Sequence, residues 1–229
     1  MSKKFFVTGT DTDVGKTLIA AGLLLAARQA GFSTAAIKPV AAGCEKTPHG
    51  LRNSDALQLQ KAMTAELDYE QINPITLEPA IAPHIAAEQM GKHLRCAQLA
   101  GYCRGAMMSA AAEFFLIEGA GGWRVPLNQV ETLANLAMEL NTPVILVVGM
   151  RLGCINHALL TAEAIHKDGL PLAGWVANQL LSDMPVYREN LQTLVDLMPA
   201  PLIGEVPFLE NPLPEKLVPH LTISHLIND

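Results

Sequence analysis

The chain lacks any CxxC pair. Its cysteines, Cys44, Cys96, Cys103 and Cys154, show no zinc-type spacing. A chain of 229 residues can bury a core without disulfides, so reduced thiols and a cytoplasmic location are expected. Positive charge is scarce as well: 16 Lys and Arg stand against 22 Asp and Glu, giving a formal net charge of −6 and a pI near 5.6. That balance, with no basic run, excludes a general nucleic-acid binder or a membrane-surface protein. Long apolar runs are missing. Leu18–Ala27 and Pro143–Met150 are too short to span a bilayer, and the opening "MSKKFFVTG" holds too few apolar residues for a signal peptide. The histidines form no HExxH pattern, and His157 and His166 are expected as packing or surface residues of a helix. Aromatics make up only 5% of a sequence that is 50% hydrophobic, so the expected core is aliphatic.

What is present begins with "FFVTGTDTDVGKTLIAAGLLLAA". A β-prone run, a glycine loop and a helix-forming run follow one another, which is the setting a P-loop requires. Backbone N–H groups at a helix start wrap phosphate oxygens. Lys16 neutralises outer phosphate charge, and the Thr17 hydroxyl is placed to reach Mg²⁺. Five residues separate Gly9 from Gly15, one more than the usual four. Two of them, Asp11 and Asp13, are acidic, which leaves a metal, a cationic substrate or the ribose as what they face.

Further along, Phe5–Thr8, Ala35–Val40, Phe114–Glu118, Val144–Gly149, Leu172–Ala177 and Leu202–Glu205 read as strands. Lys16–Gln29, Asp55–Met63, Cys96–Ala112, Thr132–Leu140, Asn156–Asp168 and Tyr187–Leu197 read as helices between them. The alternation, and continuous apolar runs such as "VILVVG", predict one α/β domain over residues 1–229. Its sheet should be doubly wound and mainly parallel, with helices on both faces, in the manner of P-loop NTPases. Asp68–Gln89, with the proline-rich "NPITLEPAIAPH", is expected to be an ordered loop rather than a helix, either lining a site or merely connecting.

In such a sheet ligands gather at the carboxyl ends of the strands. Lys38 closes the apolar run "AAIKPV", where it meets an anion unless it snorkels to the rim. Glu118 ends "FFLIE" as a Walker-B-like carboxylate, and Gly119-Ala120-Gly121-Gly122 after it let backbone approach a ligand. Asp55 stands at a helix start, where the dipole stabilises a carboxylate with or without a metal. Thr17, Asp55 and Glu118 together form an oxygen set suited to Mg²⁺.

With these residues in view, the chain resembles the dethiobiotin synthetase family. The matching pieces are "VTGTDTDVGKT", "KPVAAG", "GLRNSDA", "NPITLEP", "IEGAGGW", "PVILVVG", "LGCINHALLTAEAI", "GWVAN" and "PAPLIGEVP". The resemblance implies an ATP-dependent ligase that converts 7,8-diaminononanoate and CO₂ to dethiobiotin, ADP and phosphate through a carbamic–phosphoric anhydride. It implies Lys38 and Lys16 as catalytic residues and Thr17, Asp55 and Glu118 as Mg²⁺ ligands. Asp13, Val14, Gly15, Lys16, Thr17 and Leu18 would hold phosphates, with Gly119, Ala120 and Gly121 beside the nucleotide. Asn178, Gln179, Pro207, Phe208 and Leu209 would surround the adenine. Thr12, Lys38 and Ala42 would face the substrate. Gly153, Cys154 and Asn156 would hold its carboxylate tail from the partner subunit of a homodimer. Many members carry serine where this chain has Ala42, so a hydroxyl that would contact the substrate is missing here. The alternatives are a paralogous ligase acting on a related diamine, a partitioning-type P-loop switch ATPase and a cobalamin-type amidase. The switch type usually carries a lysine soon after the first glycine, absent here, and the amidases are longer chains.

Overall fold

The computed structural model describes residues 2–227. The chain enters through β1 (Lys3–Gly9) and, after the glycine loop, α1 (Lys16–Gln29). Next come β2 (Thr34–Ile37), β3 (Val40–Ala41), a small hairpin of β4 (Glu45–Thr47) and β5 (Gly50–Arg52), and α2 (Ser54–Ala62). Short α3 (Tyr69–Ile72), β6 (Ile75–Thr76) and α4 (Pro83–Gln89) lead to α5 (Cys96–Ala110). The remainder alternates: β7 (Phe114–Gly122), α6 (Leu133–Leu140), β8 (Val144–Met150), α7 (Cys154–Lys167), β9 (Leu172–Gln179), α8 (Tyr187–Leu197) and β10 (Leu202–Val206). Two short helices, α9 (Pro214–Leu217) and α10 (Ser224–Ile227), close the described part.

Among the described residues, six strands form one sheet in the order β10-β9-β8-β1-β7-β2, every neighbouring pair parallel. From β1, near the middle, the chain crosses to β2 at one edge, returns to β7 beside β1, and then winds outward on the other side through β8, β9 and β10, so the P-loop sits at a point where the connections diverge. Strand β8 shows why the sheet needs two covering layers. All of "VILVVGM" is buried. Ile145 and Val147 belong to the larger core with α1, while Leu146, Val148 and Met150 pack with Cys154, Ala158 and Leu194 of α7 and α8. A fully apolar strand has this double burial as its physical counterpart. No described helix is long and apolar enough to cross a membrane.

Two expectations need correction. The run Ala35–Val40 is not one strand: β2 stops at Ile37, and the Lys38 N–H donates to the Ile72 carbonyl (2.8 Å) instead of a sheet neighbour. Pro39, which has no N–H, follows at once, so the chain leaves the sheet there. The second concerns Asp68–Gln89, which contains α3 and α4 rather than loop alone. Pro83 is the first residue of α4, where a missing N–H costs nothing.

Candidate active site

The glycine loop is shaped by two residues with positive φ. Gly15 (φ 85) caps α1, and a Cβ there would lie 2.4 Å from the Asn178 amide nitrogen. Asp13 (φ 57) takes the left-handed turn that the extra loop residue requires, a conformation aspartate tolerates. Below the loop, Asn178 is buried and donates from Nδ2 to the Val14 carbonyl at 2.9 Å. Lys16 folds back so that Nζ donates to the Asp11 carbonyl at 2.9 Å. Burial draws the Lys16 ammonium down to about 8, against the raising influence of Glu118, Asp55 and Asp13.

Lys38 is the charge centre of the site. Only 4% exposed, its Nζ lies 2.7 Å from Oε1 of Glu118 and 2.8 Å from Oδ2 of Asp55. Burial disfavours the ammonium, but the two carboxylates outweigh it and raise its pKa above the ordinary lysine value. Burial likewise pushes Asp55 up, and the Lys38 charge with the Lys38 hydrogen bond brings it below the usual carboxylate range. The Thr17 hydroxyl donates to Oε1 of Glu118 at 2.6 Å. Oε2 of Glu118 is buried and has no hydrogen-bond partner among the described residues. That orphaned oxygen, beside a hydroxyl and a second carboxylate, fits a hard cation that shares phosphate oxygens. No group of three or more His, Cys, Asp or Glu side chains is poised for a metal among the described residues, and the candidate oxygen set here is two carboxylates and a hydroxyl.

These groups open into a cavity of about 780 Å³. Of the residues expected from the sequence, Thr12, Asp13, Gly15, Lys16, Thr17, Leu18, Lys38, Ala42, Asp55, Glu118, Ala120 and Gly121 line it. The proline-rich excursion also lines it, through Ala80–Pro83, and so do Gln58, Val125 and Pro126, which the sequence reading did not single out. Gln58 was legible in principle, since it lies one helical turn after Asp55 on α2.

Other expected residues lie elsewhere. Val14 is buried beneath the loop, and Gly119 packs on the Phe6 ring. Asn178 and Gln179 end β9, and Val206 pairs with Asn178, which brings Pro207, Phe208 and Leu209 to the same sheet edge beside the glycine loop. Gly153 and Asn156 are exposed at the start of α7 and do not line the cavity. The Cys154 side chain points into the apolar layer under α7, so the expectation that it faces substrate holds for its backbone at most. Asp11 is not among the residues that line the cavity. Its carboxylate pairs with Arg151, at the end of β8, and accepts the Thr12 N–H at 2.8 Å. The Thr12 bond, ahead of Arg151, holds the Asp11 carboxyl below its ordinary value despite some burial. His157 and His166 are surface residues, as expected.

A protein-family model described as an AAA domain matches residues 3–215. The ATP-dependent dethiobiotin synthetase BioD of Cellvibrio japonicus is 60% identical over all of both chains. The enzyme of the same name from Pseudomonas aeruginosa is 57% identical over 97% of each, and that of Aeromonas salmonicida 50% identical over 99% of this chain and 100% of its own. Among solved structures, the MinC:MinD cell division complex of Aquifex aeolicus aligns with a TM-score of 0.58 at 18% identity, over 91% of this chain and 82% of that one. A ParA family ATPase of Chlorobium tepidum aligns with a TM-score of 0.56 at 13% identity, over 100% and 94%. These distant likenesses show a P-loop fold and nothing about activity.

Proposed function

The chain belongs to the dethiobiotin synthetase family, and from that premise we propose how its residues perform ATP-dependent dethiobiotin synthesis as a ligase. The substrates in this reading are ATP, CO₂ and 7,8-diaminononanoate. One amine of the diamine takes up CO₂ as a carbamate. A carbamate oxygen then attacks the γ-phosphorus, the bond to the β-phosphate oxygen breaks, and ADP leaves. The second amine attacks the carbonyl carbon of the resulting anhydride and loses a proton. Phosphate departs, and the ureido ring is closed.

The observation that carries this reading is Lys38, clamped between Asp55 and Glu118 at the mouth of the P-loop cavity. Phosphoryl transfer depends mainly on positioning and charge neutralisation. The loop amides and Lys16 take the outer phosphates. Lys38 is positioned to meet charge on the carbamate and the transferred group, so it acts on the transition state rather than on binding alone. Thr17, Asp55 and Glu118 would hold Mg²⁺, which supplies further neutralisation of phosphate charge when bound. Thr12 and Ala42 line the same cavity and face the substrate. Asn178, Gln179 and Pro207–Leu209 make the adenine edge.

The reading includes a single α/β domain in the cytoplasm, working as a homodimer. Gly153 and Asn156 belong in it to the partner's substrate site. Leu152 (95% exposed) and Leu160, also exposed, support a second copy seated on the start of α7. The test is ATP turnover with bicarbonate, with and without diaminononanoate. Phosphate release that depends on the diamine, with dethiobiotin as product, is expected. Turnover stimulated by DNA or lipid instead would overturn the reading.

A further inference from the structure

A chain of buried polar groups joins the backbone of Lys38 to the helix that carries Asp55. Asn73 is 2% exposed, and its Nδ2 donates to the Lys38 carbonyl at 2.7 Å. Its Oδ1 accepts from the Tyr69 hydroxyl at 3.0 Å. That hydroxyl accepts in turn from the Asn53 N–H at 2.7 Å. Asn53 caps α2 with Oδ1, which accepts from the Asp55 and Ala56 N–H groups, while its Nδ2 donates to the carbonyl of cavity-lining Ala42. The polarity of the chain is fixed at both ends. The Asn53 N–H can only donate, so the tyrosine proton is free for Asn73, and the Lys38 carbonyl can only accept, so the amide nitrogen must face it.

Burial of so many polar atoms is costly unless each is satisfied, and here every link is. Packing alone does not require them, since an apolar residue in place of Tyr69 or Asn73 would fill the space without the desolvation. What the relay does achieve is geometric. Lys38 lies beyond the last sheet residue of β2, where ladder hydrogen bonds no longer hold it. Its peptide is clamped instead by the Ile72 carbonyl on one side and Asn73 on the other. The same relay sets the start of α2, and with it the Asp55 carboxylate. The Arg52 guanidinium covers the Tyr69 ring, 4.1 Å from its centroid, and closes the relay off from solvent.

We propose that Tyr69 and Asn73 are positioning residues for phosphoryl transfer: they hold Lys38 and Asp55 in mutual register without touching substrate. This rests on the ligase reading above, and wild-type dethiobiotin formation is the control that separates the two. Tyr69→Phe keeps the ring and removes the hydroxyl. It should lower kcat by between about threefold and tenfold, the worth of one to two hydrogen bonds expressed at the transition state. It should also raise the Mg²⁺ concentration for half-maximal rate while leaving the KM for ATP within about twofold. Asn73→Ala should act in the same direction and more strongly, since it frees the Lys38 carbonyl directly. In a Lys38→Ala background at saturating Mg²⁺, which offsets the part acting through Asp55, adding Tyr69→Phe should lower single-turnover phosphate release by less than it does in the wild type, because the remainder acts through the lysine. A Tyr69→Phe enzyme with a lowered melting temperature but unchanged kcat and Mg²⁺ dependence would show a purely structural hydroxyl and overturn the proposal. So would an equal fold-loss in the Lys38→Ala background. Failure of the wild type to form dethiobiotin would strike the ligase reading instead.

Discussion

Lys38 and Glu118 face each other at 2.7 Å across the sheet edge, with side chains 5% and 0% exposed. A buried pair of this kind is a weak source of stability, but removing one partner strands the other charge. Lys38→Met should therefore lose about 3–5 kcal/mol of unfolding free energy near neutral pH. Its turnover should fall by about two to three orders of magnitude, as when a transition-state donor is lost. The double variant Lys38→Met/Glu118→Gln, which keeps an acceptor for the Thr17 hydroxyl, should regain most of the stability and none of the turnover. Urea titration and steady-state rates check both halves. Recovery of turnover along with stability would reduce Lys38 to a counter-ion.

Asp55 and Glu118 should differ in how strongly they respond to neutralisation. The Asp55 side chain is 42% exposed and that of Glu118 is 0% exposed. Asp55→Asn and Glu118→Gln should both raise the Mg²⁺ requirement, since each removes a hard anionic oxygen. Glu118→Gln should do so more, because water cannot take the place of its buried Oε2. A Mg²⁺ titration of phosphate release measures this, and an unchanged requirement in both would remove the carboxylates from the cation site.

The sequence carries much of this site, and the reason is local. α1 spans Lys16–Gln29 and α8 spans Tyr187–Leu197, as the periodicity indicates. Glu118 and Lys38 stand out because a charge closing an apolar run has few physical explanations. The hairpin of β4 and β5 left no such mark: it is short, mainly polar and nowhere fully buried, so neither face writes an apolar alternation. Asp11 and Arg151 are 140 residues apart and meet only because β1 and β8 are neighbours in the sheet. Asn73 and Tyr69 were invisible for the same reason. Their partners belong to other elements, and polar residues in a proline-rich stretch read as loop.

ATP binding should weaken on the alkaline side. Lys16 of the free protein has its pKa drawn down to about 8, first by burial. A triphosphate favours the charged ammonium, so above that pH nucleotide binding must take up a proton. The Kd for ATP should be flat below about pH 7 and climb toward tenfold per pH unit well above pH 8. Lys16→Arg, which stays charged, should flatten that climb even if its affinity is lower. The sign for stability is opposite. The unfolded chain keeps the lysine proton up to the ordinary lysine value of 10.5, so this group's contribution to unfolding free energy rises with pH between about 8 and 10.5. Calorimetric titration across pH 6.5–9.5 gives the binding curve, and a pH-independent Kd would place the Lys16 pKa well outside this range.

Ala42 lines the cavity, its carbonyl accepts from the Asn53 amide at 3.3 Å, and the half-buried residue packs against the edge of the core. Ala42→Ser should tighten binding of diaminononanoate by about tenfold or less, the worth of one hydrogen bond. The KM for ATP should stay put. A loss of diamine affinity would mean that the cavity is packed around alanine and that a related diamine is the better substrate.

The shared-site dimer makes the sharpest demand. Asn156 is exposed at the start of α7, outside the cavity that holds Lys38. If it serves the partner's site, two-fold symmetry builds each site from two chains. Lys38→Ala and Asn156→Asp dimers should each be nearly inactive, the first for want of the ammonium, the second because a carboxylate meets the substrate's own. After dissociation and reassociation of a mixture, each mixed dimer holds one site with both defects and one with neither. Random pairing makes about half of the dimers mixed, so roughly a quarter of all sites should be intact and activity should return to about that level. If Asn156 served its own chain's site, every site would carry one defect and mixing would restore nothing. Subunit exchange followed by native mass spectrometry, with dethiobiotin formation measured on the same sample, distinguishes the two. Complete exchange without recovery of activity would rule out the shared site.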